Sequence, residues 1–126
     1  MSNQLTENVI GYIRISKKDQ STYSIPYQRK AISNYCVFNN LNLLSLFTDN
    51  GQSSYTFDRP NWIALEKFIK QQKGQIKYLL IVDHDRFSRN LGEELMKIDQ
   101  LENRSGVKVL SVFDSLTLDT KSADTF

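Results

Sequence analysis

The run Tyr78-Leu79-Leu80-Ile81-Val82 decides the fold. Continuous apolar character over a stretch this short describes a strand buried on both faces, which belongs in the middle of a parallel sheet. Upstream of it, Pro60 opens a helix that carries Trp62, Leu65 and Ile69 on one face. Before that helix lies an apolar strand, Leu43 to Thr48, ended by the turn Asp49-Asn50-Gly51. Ile25, Gln28, Ile32 and Tyr35 or Cys36 recur at helical spacing and predict a helix from about Ile25 to Phe38. The β-branched and aromatic run Val9 to Ile15 (VIGYIRI) supplies the first strand. Downstream, Leu91, Leu95, Ile98 and Leu101 stripe another helix and are expected in the core, and Val107 to Phe113 forms the last strand.

The order βαβαβαβ predicts a three-layer α/β domain, with a mainly parallel sheet of four to five strands flanked by helices. Residues 1–126 are expected to form this one domain. The polar stretch Leu116 to Phe126 has no periodicity and ends where a further element is expected to begin, as in a fragment of a longer protein.

Composition narrows the function classes. Hydrophobic residues make up 40% of the chain and charged residues 24%, which suits a single globular core. No apolar run approaches the roughly 18 residues that span a bilayer, and the start MSNQLTENVIGY has no basic-then-apolar leader. With one cysteine, Cys36, and one histidine, His84, neither an internal disulfide nor a Cys/His zinc site is available. A cytoplasmic domain without metal, or with a carboxylate-held metal, is the expectation. The net charge of +2 is too small to signal nucleic-acid binding, so the distribution of arginine carries more weight.

In open parallel sheets ligands bind beyond the carboxyl ends of the strands. Tyr12, Arg14 and Ser16 fall on one side of the first strand and its extension, by period-two alternation. Asp49, Ser53 and Arg59 follow the second strand, Asp83, Asp85, Arg86, Ser88 and Arg89 the third, and Asp114 the fourth. Each has a plainer explanation. A strand arginine is commonly an edge residue, a serine after a strand a helix cap, and Asp49 before Asn-Gly a turn residue. Two features resist that reading. Arginines at the start of a helix oppose its dipole, and Gln28 stands on an inward stripe, where a buried amide needs a partner. Trp62 and Phe68 read as core, Cys36 as a packed thiol, and His84 as a loop residue.

These residues resemble the signatures of the serine recombinases, the resolvase/invertase family. Tyr12-Ile13-Arg14-Ile15-Ser16 with Gln20 resembles the family's Y-x-R-x-S-x-x-x-Q, and Asp85-Arg86-Phe87-Ser88-Arg89 resembles its D-R-x-x-R. The stretch from Asp49 through Ser53 to Arg59-Pro60 is similar to its D-x-G-x-S turn and R-P pair, and Gln28-Arg29 to its first-helix pair. The resemblance runs from about Val9 to the chain end. Ser54 stands where glycine is usual, and the long interval from Ser16 to Gln28 resembles the large serine recombinases and serine transposases.

The resemblance implies that Ser16 attacks a DNA phosphodiester and forms a 5′-phosphoserine link, with Arg14, Asp85, Arg86 and Arg89 as the other catalytic residues. Tyr12, Gln20, Gln28, Asp49, Ser53 and Arg59 would form the supporting shell. It also implies no cofactor, no metal and no membrane, double-stranded DNA at a crossover site as partner, a homodimer on each site and a tetramer at synapsis. The resemblance further implies that the 116–126 tail leads into a downstream helix and DNA-binding region, without which the chain is expected to bind DNA weakly and not to recombine it.

Two other readings stand beside this one. Asp83-His84-Asp85 offers a D-x-D magnesium site of a metal-dependent nuclease or topoisomerase-like domain, although such a first strand should end in glutamate. An inactive oligomerisation module is the non-enzymatic alternative, and the retained serine, arginines and aspartate speak against it.

Overall fold

The computed structural model describes residues 6–15, 25–50, 59–82, 87, 88 and 90–113. Ser16, Gln20, Ser53, Asp83, His84, Asp85, Arg86, Arg89, Asp114 and the 116–126 stretch lie outside the described residues.

Four strands, β1 (Glu7–Ile15), β2 (Leu41–Asn50), β3 (Ile76–Ile81) and β4 (Lys108–Ser111), form one sheet in the order β2-β1-β3-β4. Every pairing is parallel. Three helices connect them: α1 (Ile25–Phe38), α2 (Pro60–Gln72) and α3 (Leu91–Ser105). The crossover from β1 to β2 runs one way across the sheet and those from β2 to β3 and β3 to β4 run the other. Right-handed crossovers in opposite directions put their helices on opposite faces.

The two cores follow that division. On one face Ile32 and Cys36 of α1 pack with Val9, Ile13, Leu80 and Val82. On the other, Trp62, Leu65 and Ile69 of α2 and Leu101 of α3 pack with Ile10, Tyr12, Leu79 and Ile81. Alternate residues of β1 and β3 thus serve opposite cores, as expected for central strands buried on both sides. Gly11 faces α1 because a Cβ there would lie 3.2 Å from Ile32 Cγ2 and 2.4 Å from Leu46 Cδ1. At its C-terminus α3 closes through Gly106 at φ 68°, whose N–H donates to the Glu102 carbonyl.

Three expectations need correction. β2 runs through Asn50, so Asp49 and Asn50 are strand residues paired with Arg14 and Ile15 rather than a turn. β4 is confined to Lys108–Ser111. The expected apolar stripe of α3 is rotated: Leu91 and Leu95 are 66% and 56% exposed, while Glu94 is buried at 5%. Leu101 and Ile98 do face the core, so Glu94-Ile98-Leu101 is the inward row. Among the described residues no helix is long and apolar enough to cross a membrane.

Candidate active site

The strand order reverses direction between β1 and β3, and the carboxyl edge at such a reversal is where ligands bind in this class of sheet. β1 ends there at Ile15. Arg14 is 1% exposed, so it is no edge or surface residue; it lies on a central strand, on the side that Tyr12 also faces.

Beside it, Asp49 ties three elements together. Its Oδ2 accepts from the Tyr12 hydroxyl at 2.8 Å and from the Trp62 N–H at 3.0 Å, and its Oδ1 accepts from the Asn61 N–H at 3.1 Å. Asn61 and Trp62 belong to the first turn of α2, whose own N-cap residue, Arg59, makes no side-chain cap bond. A carboxylate from the neighbouring strand therefore caps α2, where orphan N–H groups and the helix dipole both favour negative charge. The Asn61 amide adds a 2.6 Å bond to the Thr48 carbonyl.

Arg59 is fully buried. Its Nη1 donates to the Tyr12 hydroxyl at 3.4 Å, and its guanidinium carbon sits 5.9 Å from the Tyr12 ring centroid. Trp62 and Phe87 pack edge-on against the same ring, at centroid distances of 5.1 and 6.1 Å. Burial pushes the Tyr12 hydroxyl well above the ordinary tyrosine range; Arg59 acts in the opposite direction and Asp49 reinforces the rise. Tyr12 therefore acts as a neutral donor locked onto Asp49. With its oxygen enclosed, it cannot be the nucleophile.

Of the residues expected at the site, the fold gathers Tyr12, Asp49 and Arg59 into direct contact, with Arg14 in register opposite Asp49. Gln28 is also buried, but in the first turn of α1, across the sheet from Tyr12. Ser88 is buried, and its hydroxyl accepts from the Asn90 N–H at 3.0 Å, so it shapes the entry to α3. The backbone N–H pair of Asn61 and Trp62, which Asp49 receives, is a site feature that sequence reasoning missed. No group of three or more metal-ligating side chains occurs among the described residues.

Comparison with known proteins places the architecture. The family described as Resolvase, N terminal domain, matches residues 9–126. No curated protein sequence matches significantly. Among solved structures, the N-terminal catalytic domain of TP901-1 integrase is similar, with 22% identity, a TM-score of 0.78 and 94% of each chain covered. A resolvase family site-specific recombinase from Streptococcus pneumoniae is similar with 22% identity, a TM-score of 0.71, and 95% of this chain and 86% of that one covered. The C-terminal catalytic domain of ISC1926 TnpA, an IS607-like serine recombinase, gives 22% identity and a TM-score of 0.68, covering 92% of this chain and 80% of that one.

Two outcomes are expected. Asp49→Ala leaves the start of α2 uncapped and Tyr12 without its acceptor, and should cost about 3 kcal/mol in chemical denaturation. The second concerns alkaline pH. Because the folded chain holds the Tyr12 proton more tightly than the unfolded chain does, stability is full below the ordinary tyrosine value of about 10 and falls as pH rises above it. Tyr12→Phe should flatten that alkaline loss when denaturation is followed across this range. A residual slope from Tyr78, raised first by burial and then by Glu7 and Tyr35, should persist.

Proposed function

This chain belongs to the resolvase N-terminal domain family, the catalytic domain of the serine recombinases, and we propose that Ser16 is the nucleophile of its site-specific DNA recombination. The observation that carries this reading is the burial of Arg14 at the carboxyl end of β1, at the sheet's reversal point and two residues before Ser16. A guanidinium buried this far on a central strand is costly unless its charge is answered, and at the end of the strand that leads into Ser16 it can serve a phosphodiester as an electrostatic clamp.

In the proposed reaction the Ser16 hydroxyl oxygen attacks phosphorus and the bond to the 3′ oxygen breaks. A 5′-phosphoserine link forms, the serine loses its proton, and the leaving 3′ hydroxyl gains one. Asp85 is the proposed proton acceptor and donor. Rejoining to a new 3′ hydroxyl reverses the step, so the phosphodiester energy stays in the protein–DNA bond. Phosphoryl transfer depends mainly on positioning and on neutralising charge spread over the non-bridging oxygens. Arginine suits this because it is permanently charged and donates two parallel hydrogen bonds. Arg14, Arg86 and Arg89 fill that role in the proposal. Tyr12, Asp49 and Arg59 hold the frame, and Gln20, Gln28 and Ser53 complete the shell. The partner is double-stranded DNA at a crossover site, bound as a homodimer and brought together as a tetramer, in the cytoplasm.

The test uses the full-length protein with DNA bearing its crossover site, in EDTA. A covalent adduct at the DNA 5′ end should appear on a denaturing gel and vanish in Ser16→Ala. Cleavage that requires magnesium and survives Ser16→Ala would instead support a metal site at Asp83 and Asp85.

A further inference from the structure

The carboxyl end of β2 has strand support on one side only. β2 lies at the edge of the described sheet, where it pairs with β1 alone, and Asp49 is its last residue but one. Strand and helix ends are where a fold frays most readily. Here such an end carries the carboxylate that receives Tyr12 and, through Tyr12, is linked to Arg59.

One residue of α2 holds that end twice. The Asn61 backbone N–H donates to Asp49 Oδ1 at 3.1 Å, and its side-chain Nδ2 donates to the Thr48 carbonyl oxygen at 2.6 Å. The Thr48 carbonyl and the Asp49 nitrogen belong to a single planar peptide unit. Fixing that oxygen therefore fixes the plane from which Asp49 departs, while the backbone bond fixes one of its carboxylate oxygens. Together they set both the direction and the rotation of the Asp49 side chain.

Plainer explanations of Asn61 fall short. Its side chain is exposed, so core packing does not require it. It stands one residue inside α2, after Pro60, and the N-cap position belongs to Arg59. Helix propensity does not call for it either, since asparagine is a poorer helix former than alanine.

We infer that Asn61 is a positioning residue of the active site, whose side-chain amide clamps the end of β2 to the first turn of α2 and so holds the frame of Asp49, Tyr12 and Arg59 in place. This rests on the assignment of the rim as the catalytic site. Asn61 touches no reacting atom; it acts through Asp49, which lies in register opposite Arg14.

Asn61→Ala removes the side-chain donor, keeps the backbone N–H groups of residues 61 and 62, and places a better helix former on an exposed site, so the variant should fold. Amide hydrogen exchange reads the clamp locally. The Trp62 N–H is one of the first-turn groups without an acceptor in its own helix, and it donates to Asp49. In Asn61→Ala it should exchange about tenfold faster, over and above any change at the Leu79 and Leu80 amides of the central strand β3. No change at Trp62, or the same change at all three amides, would overturn the clamp.

Positioning is read from adduct formation by the full-length protein on its crossover DNA, in EDTA. Asn61→Ala should lower the rate at saturating DNA about fivefold or more, with the half-saturating DNA concentration unchanged. An unchanged saturating rate, or a loss confined to the half-saturating concentration, would overturn the positioning role. An adduct persisting in Ser16→Ala, alongside faster Trp62 exchange in Asn61→Ala, would sink the reaction proposed above while leaving the clamp itself intact.

Discussion

The carboxyl edge of this sheet depends on one carboxylate. Asp49 receives the Tyr12 hydroxyl from β1 and two backbone N–H groups from α2, so a strand end, its neighbour and a helix start converge on two oxygen atoms. Each bond is charge-assisted, and those from Tyr12 and Trp62 are buried, where such bonds are strongest. Through Tyr12 the same carboxylate is linked to Arg59, and through strand register it sits opposite Arg14. Removing it would release the helix start, the tyrosine and the nearest arginine together.

That arrangement explains how a phosphoryl-transfer domain can bury arginine. A guanidinium taken out of water is costly unless its charge is answered, and an answered guanidinium is rigid. Rigidity is what a clamp for a pentavalent phosphorus requires, since the transition state gains only from donors already in place. The aromatic packing of Trp62 and Phe87 on Tyr12 keeps water from this network and holds the tyrosine hydroxyl neutral. The chemistry then falls to residues beyond the strand end, with Ser16 first among them in the proposal.

Much of this was legible in the chain. The apolar run at Tyr78 to Val82 and the alternation of strands and helices follow from local pattern, and α1 and the start of α2 fall at the expected residues. Tyr12, Arg14 and Arg59 are visible as candidates from their places at and beyond the strand ends and from the motifs they resemble. The resemblance puts Asp49 in the supporting shell, but locally Asp-Asn-Gly reads as a turn, and only the pairing of β2 with β1 extends the strand through it. Glu94 was missed for a different reason. Leu91, Leu95, Ile98 and Leu101 fit a helical stripe, and so do Glu94, Ile98 and Leu101; hydropathy favours the first, and the structure turns the second inward. Local sequence does not report how a helix is rotated against the sheet it packs on.

The most direct test of the account is the identity of the amino acid joined to DNA. The full-length protein would be trapped on its crossover DNA, the adduct digested with nuclease and protease, and the nucleotide-bearing peptide read by mass spectrometry. The account predicts a 5′-phosphodiester on Ser16. A nucleotide on Tyr12, or on any residue other than Ser16, would contradict it.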